Sequence, residues 1–397
     1  MFSNCRRSSC DVCRVLANNV MGICQDLKSR PSQARDVAFH AVDRLMALLP
    51  TCGQFHPPKG YFSALQQLER GLLKGHVLLD HQPSGDCPSG SMTEKCGMRQ
   101  HDYQPWPVFW TLAEDARLVG RLRQWRDRDG QVCLEDNYGR ARRNWAKEGG
   151  FWSQVWLDEP ERLEGAWMSP LSIWSDGKNY YHWLTDSLTR LMLREQLPEP
   201  TKILVPENPA RFVTETLDLM GLSDLCEAPK NRNLLPERFY FCAPSAMTGA
   251  HNPIGYDWLR KTFKSHMGTA GSGSPVFFTR RSGTRVPPLL ESLEDFFGSA
   301  GFEIVDCGQL TVREQIRVTS SAPAIAGIHG AAMTNLLWAA RGTRVIELFQ
   351  PDFLNACYEQ IAFQGGLDYS WQIMDEVLPV AALEHWLRGG ECLGRHL

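Results

Sequence analysis

Ala322-Pro-Ala-Ile-Ala-Gly-Ile-His-Gly-Ala-Ala-Met-Thr-Asn335 joins an apolar run, a glycine-histidine-glycine turn and a helix start made of small residues. The order reads as strand, tight turn, helix. A buried strand that feeds a helix through Gly327, His329 and Gly330 offers free backbone N–H groups and the positive end of a helix dipole to whatever lies above the sheet. An anion, most commonly a phosphate, suits such a turn. Ala331 and Ala332 keep the first helical turn thin enough for a ligand to reach the backbone. Taken alone, the same small residues serve equally well to pack a helix closely on its sheet.

Strands and helices alternate on both sides of this stretch, the pattern of a doubly wound α/β sheet. Downstream of Gly268-Thr-Ala-Gly-Ser-Gly-Ser-Pro275, read as a flexible boundary, strands are expected at 276–279, 303–306, 344–349 and 369–373. Helices are expected at 289–299, 312–320, 332–339 and 355–363. Upstream, strands are expected at 169–174, 202–206 and 238–242, and helices at 180–195, 210–220 and 258–266. Residues 107–135 read as a meander of short strands. Within them Asp127-Arg-Asp129 has the acid-x-acid form of a divalent-metal site, but Asp129-Gly130 is hairpin-turn chemistry, and we prefer the turn. Residues 1–75 read as helical and polar, with stripes at 34–49 and 61–73, and the Pro/Ser/Gly-rich 81–97 as a loop.

The 397 residues fit two domains with an additional N-terminal element. With 43% hydrophobic and 22% charged residues the composition is that of a water-soluble globular protein, and a net charge of −3 offers no field for nucleic acid. No apolar run approaches the ~18 residues of a membrane span, and no apolar core follows Arg6-Arg7 as in a secretory signal, so a cytoplasmic location is expected. Most of the thirteen cysteines are expected to be reduced. Cys5, Cys10, Cys13 and Cys24 contain one Cys-x-x-Cys but no second close pair, so no metal knuckle is assigned.

Candidate chemistry falls at strand ends and helix starts, where ligands of α/β sheets sit. Arg280-Arg281 follow an apolar strand; they form either a bidentate clamp for a pyrophosphate or, with Arg285, a solvated loop. Glu347, a carboxylate inside the run Val345-Ile-Glu-Leu-Phe349, is read as the acceptor of ribose hydroxyls or as the partner of an arginine. On the helix opening Asn179-Tyr-Tyr-His-Trp183, His182, Asp186 and Arg190 fall one turn apart. A carboxylate that orients a histidine builds a general base. The competing arrangement is an Asp186–Arg190 pair beside a packing histidine, and a metal site at His182 and Asp186 lacks a third ligand.

These blocks resemble glycosyltransferase family 61. Asn179-Tyr-Tyr-His-Trp183, Gly327-Ile-His-Gly-Ala-Ala-Met-Thr-Asn335 and Val345-Ile-Glu-Leu-Phe349 stand in the family's order, with Arg280-Arg281 where it places an arginine pair. The likeness covers roughly residues 105–375, and Ala332-Met333 departs from the family's frequent Gly-Leu. The resemblance implies a bacterial-like member with GT-B architecture, two Rossmann-like doubly wound domains facing a cleft, beside an N-terminal helical/β extension. The divisions expected are 1–100 for the extension and linker, 101–270 for the acceptor side and 271–375 for the nucleotide-sugar side. Residues 376–397 are expected to pack back on the first domain.

The implied activity is inverting, metal-independent transfer of a hexosyl or pentosyl unit from a nucleotide-diphosphate sugar to a hydroxyl of a glycan or glycolipid, of cell-surface polysaccharide type. No cofactor is implied, and the arrangement leaves room for peripheral membrane contact. His182 and Asp186 are the expected catalytic pair; Arg280, Arg281, Gly327, His329, Gly330, Ala331, Thr334, Asn335 and Glu347 are the expected donor-binding set. The alternatives are a nucleotide-sugar epimerase or hydrolase on the same fold and a non-catalytic nucleotide- or glycan-binding scaffold.

Overall fold

In the second half of the chain, short strands apolar on both faces alternate with amphipathic helices, which requires a sheet covered on both sides. The computed structural model describes residues 60–79, 106–137 and 157–390, apart from Ile173, Asp176, Met247, Ala250, Thr284, Asp375 and Glu376. The expected helix at 34–49, the loop at 81–97 and the Cys5, Cys10, Cys13 and Cys24 cluster lie outside the described residues.

Strands β1 (Tyr61–Phe62), β2 (Lys74–Leu79), β3 (Val108–Ala113), β4 (Arg117–Val119), β5 (Gln124–Arg126), β6 (Val132–Cys133), β7 (Glu161–Met168), β8 (Lys202–Leu204), β9 (Cys226–Glu227) and β10 (Asn233–Cys242) form a ten-stranded sheet. This sheet is mixed, not doubly wound. Strands β4, β5 and β6 are too closely spaced for crossover helices and pair in sequence through tight antiparallel turns. β10 joins the two regimes: it is antiparallel to β3 and β4 and parallel to β7. Asp127-Arg-Asp129 forms the β5–β6 turn, with Asp127 Oδ1 accepting Gln131 N–H at 2.8 Å.

Three expected elements shift, one of them the helix expected at 258–266, which forms at Pro253–Thr262. Helix α1 occupies only Ala64–Glu69, closed by Gly71 at φ +68°, and the residues beyond it form β2, which sequence reasoning missed. The strand expected at 169–174 is instead β7, one segment earlier; Pro170 lacks the N–H that a strand interior needs, and Ser172 and Ser175 close a turn by mutual backbone bonds of 3.1 and 3.2 Å.

The second sheet, β11 (Val276–Phe278), β12 (Glu303–Val305), β13 (Ala324–Ile328), β14 (Arg344–Phe349) and β15 (Asp368–Ile373), is parallel throughout, in the order β12-β11-β13-β14-β15. The connections reverse direction between β11 and β13, which opens a crevice beyond the carboxyl ends of those two strands.

Helix α2 (Tyr180–His182) runs into a π-helical turn at Trp183–Ser187 and a 3-10 stretch at Leu188–Gln196. Helices α3 (Arg211–Leu219), α4 (Pro253–Thr262), α5 (Leu290–Ser299), α6 (Val312–Ser321), α7 (Cys357–Gly365) and α8 (Val380–Leu387) follow, with a 3-10 segment at Ala331–Trp338. Local chemistry sets their ends: Asn252 caps α4 with Pro253 behind it, Thr311 and Glu314 form a capping box on α6, and Gly366, at φ +61°, ends α7.

One apolar cluster runs through both halves, joining Tyr180, Trp183 and Leu184 to Phe278, Ile316 and Leu336. The Gly-rich stretch at 268–275, expected to be flexible, is docked on the end of α6 through Gly268 N–H to Ser320 Oγ (2.8 Å) and Gly273 N–H to the Ser321 carbonyl (3.0 Å). Helix α8 of the C-terminal segment lies on the second sheet. Leu383 and Trp386 of α8 pack with Phe277, Phe297 and Leu348, because the outer face of the five-stranded sheet is apolar and needs covering.

Leu336→Ala removes a fully buried side chain from the shared cluster and is expected to cost about 2–5 kcal/mol. In thermal unfolding the whole protein should shift as one transition. Two separate transitions, only one of them displaced, would contradict a shared core.

Candidate active site

Asn179 starts α2 by accepting Tyr181 N–H at 3.0 Å, and the helix then brings His182 over Asp186 one turn on. His182 Nδ1 lies 2.9 Å from Asp186 Oδ2. The π-helical turn between them sits where such distortions commonly do, at a candidate site. Thr248 Oγ1 donates to the same Asp186 oxygen at 2.9 Å and stands 3.1 Å from His182 Nδ1, while Thr185 donates to Oδ1 at 3.1 Å. The carboxylate is buried, but the histidine side chain is 21% exposed and lines a cleft. With Nδ1 facing a carboxylate, Nε2 is the ring nitrogen left for chemistry. The Asp186–Arg190 pair is not formed: Arg190 turns inward to Asp136 Oδ1 at 3.1 Å.

Behind the dyad, His251 Nε2 is 3.1 Å from both the Tyr181 hydroxyl and the Cys357 carbonyl. A carbonyl only accepts, so Nε2 carries the proton.

The cleft encloses about 980 Å³ between the two halves. Its second wall is built on the ends of β11 and β13. Arg280 lies there and donates to the His329 carbonyl; a side chain at Gly330 would come within 2.6 Å of its guanidinium, so the glycine makes room for the arginine. Arg281 points elsewhere, with Nε 2.9 and 3.0 Å from the two oxygens of Glu294 on α5. Arg281 lowers the Glu294 carboxyl below its ordinary value, and Thr279 also donates to it. The arginine pair therefore splits at the turn that Gly283 N–H closes on the Arg280 carbonyl (3.0 Å).

Arg285 lines the cleft with its guanidinium 3.9 Å from the Phe353 ring centre. Burial, and secondarily the charge of Arg285, lowers the Arg280 guanidinium from its ordinary value. Two cations lining one concave wall favour an anion there. Ala331 and Ala332 also line the wall, at the helix start whose first N–H groups have no intrahelical partner.

His329 lines the cleft but is mostly buried, stacked on Phe349 at 4.8 Å between ring centres. Its Nδ1 is 2.5 Å from Glu347 Oε1, and the Tyr369 hydroxyl donates to Oε2 at 2.5 Å. Glu347, expected at a ribose, has no exposed surface and both oxygens engaged, so it serves His329.

Gly327, Thr334 and Asn335, expected at the donor, lie beneath the cleft surface. A Cβ at Gly327 would meet Met333 Sδ at 2.5 Å, so the glycine permits packing. Thr334 is fully buried. Asn335 accepts the Tyr180 hydroxyl at 2.9 Å and donates to Gln315 at 2.9 Å and to the Ala332 carbonyl at 3.0 Å, tying the halves together. Sequence reasoning missed Arg285 as a cleft residue, and Phe353, Asp306 and Ser282 altogether; all four line the cleft from loops after strands. Their position after a strand end was the available signal. Among the described residues no group of three or more His, Cys, Asp or Glu is arranged to hold a metal ion.

Burial lowers the His251 imidazole to about 4, against 6.5 for an unperturbed ring. Below pH 6.5 the unfolded chain takes up a proton that the folded protein refuses, so this group's contribution is present above pH 6.5 and lost as pH falls toward 4. The full loss is roughly 3 kcal/mol. Replacing His251 by Gln is expected to flatten the fall of the melting temperature across that window. An equal slope in the variant would show that other groups set it.

Residues 180–346 match the sequence model of the family described as Glycosyltransferase 61. No curated protein matches the chain. The matched stretch carries His182, Asp186, Arg280, Arg285 and His329, which together supply both walls of the cleft. Over residues 180–346 the chain thus matches the family that its sequence blocks resemble.

Proposed function

We propose that the protein is an inverting, metal-independent transferase of GT-B arrangement. It moves a hexosyl or pentosyl unit from a nucleotide-diphosphate sugar to a hydroxyl of a glycan or glycolipid, in cell-surface polysaccharide synthesis on the cytoplasmic side. The observation that carries this reading is the juxtaposition across one cleft of the His182–Asp186 dyad and a wall holding Arg280, Arg285 and a helix start. One wall can take a proton and the other can take a diphosphate.

In the proposed reaction the acceptor O–H gives its proton to His182 Nε2 as the oxygen attacks the anomeric carbon. The bond from that carbon to the diphosphate breaks on the opposite face, and its electron pair leaves on the phosphate oxygen. Asp186, fixed by Thr185 and Thr248, holds the imidazole tautomer and stabilises the imidazolium. Arg280, Arg285 and the N–H groups at Ala331 and Ala332 are placed to neutralise the departing charge, so the chemistry needs no divalent ion. His329, oriented by Glu347 and Tyr369, contacts the diphosphate between them. Among the described residues no helix is long and apolar enough to cross a membrane, so any membrane contact proposed for a glycolipid acceptor is peripheral.

Incubation with a panel of nucleotide sugars, with and without acceptor extract, tests the reading: donor should be consumed only when acceptor is present, and turnover should survive a chelator. Donor consumption without acceptor would point to an epimerase or hydrolase. His182→Ala is expected to lower kcat about 10²- to 10⁴-fold with little change in donor affinity; wild-type turnover in that variant would remove His182 as the base. Arg280→Ala should weaken nucleoside-diphosphate binding, and Arg281→Ala should not.

A further inference from the structure

We infer that Asp306 receives the ribose hydroxyls of the donor, so that the site selects a ribonucleoside diphosphate. The inference rests on the nucleotide-sugar reading above and assigns the part of the ligand that the arginine wall leaves unaccounted for.

The topology carries it first. In a parallel sheet of order β12-β11-β13-β14-β15 the phosphate-binding end belongs to β11 and β13, and the next strand to which the chain passes after β11 is β12. In doubly wound folds an acid at the carboxyl end of that second strand, about 20 residues beyond the first turn, meets the ribose. Asp306 directly follows β12 and lines the same cleft as Arg280 and His329. The other acid considered for the role, Glu347, is closed off by His329 and Tyr369.

The local chemistry carries it second. Asp306 Oδ1 accepts Gly308 N–H at 3.0 Å and Oδ2 accepts the Ser282 hydroxyl at 2.5 Å, so the carboxylate is held in one orientation before any ligand arrives. An ionised carboxylate has about four lone-pair sites, and these bonds use two. A negative group on a wall that otherwise carries two arginines repels phosphate and attracts hydroxyl donors. A ribose attached to a diphosphate at Arg280 offers two such donors close by.

The test is calorimetric binding of uridine, cytidine, guanosine and adenosine diphosphates, each in the ribo and the 2′,3′-dideoxy form, to the full chain and to Asp306→Asn and Asp306→Ala. Asp306→Asn keeps an acceptor for Gly308 N–H, and its melting temperature checks that the loop is intact. The wild type is expected to prefer the ribo form of its nucleotide by about ten- to a hundredfold, the range for hydrogen bonds to a charged group. Asp306→Ala should bring the two forms to within about threefold by weakening the ribo form alone. If Asp306 only stabilises its loop, both variants keep the wild-type preference, and the inference fails while the donor reading stands. Equal wild-type binding of both forms also overturns it. No binding of any nucleoside diphosphate by the wild type overturns it together with the donor reading.

Discussion

A carboxylate with no exposed surface needs partners, because an unpaired buried charge costs several kcal/mol. Glu347 stands in the middle of β14, between β13 and β15 of a parallel sheet, and the cleft wall is arranged around satisfying it. Its two oxygens fix the His329 ring from below and take the Tyr369 hydroxyl from the neighbouring strand. With that ring fixed against Phe349, the backbone turns at Gly330, and the space left by the missing side chain admits Arg280. One buried acid thereby sets the position of the histidine, the turn and the arginine.

The opposite wall is held in register by bonds that cross between the halves. Tyr180 reaches Asn335, Arg211 reaches the Leu310 carbonyl at 2.5 Å, Glu215 accepts Val312 N–H at 2.8 Å, and Arg260 reaches the carbonyls of Leu337 and Ala339 at 2.6 and 2.8 Å. With a common apolar core beneath them, these fix the distance between the His182 dyad and the arginine wall. Both histidines have Nδ1 on a carboxylate, which leaves Nε2 of each as the free ring nitrogen. Groups held this way lose little freedom when a ligand binds, the condition for electrostatic preorganisation.

The second sheet was legible in the sequence nearly residue by residue, because β11, β13 and β14 are buried on both faces and helix α6 carries its own stripe and capping box. The His182–Asp186 pair was legible for the same local reason, four residues apart on one helix. The first sheet was not. Its strands are set by distant partners: β2 pairs with β3, and β10 with β3, β4 and β7, none of which leaves a periodic signal. Glu347 was read as a ligand acid because a strand-end carboxylate looks the same whether it faces a cleft or a buried histidine 18 positions away. Arg280 and Arg281 could not be separated without the partner Glu294, which only the fold brings near. Thr334 and Asn335 belong to the family block, yet Thr334 is fully buried and Asn335 bonds across the halves to Tyr180.

The central claim is that a diphosphate seats between the ends of β11 and β13, and a structure with a nucleoside diphosphate bound tests it most directly. The account predicts phosphate oxygens within about 2.7–3.2 Å of the Arg280 guanidinium and of the Ala331 or Ala332 N–H. It also predicts Arg281 still paired with Glu294. A diphosphate found on the ten-stranded sheet, or bound through Arg281 with Arg280 unmoved, would contradict it.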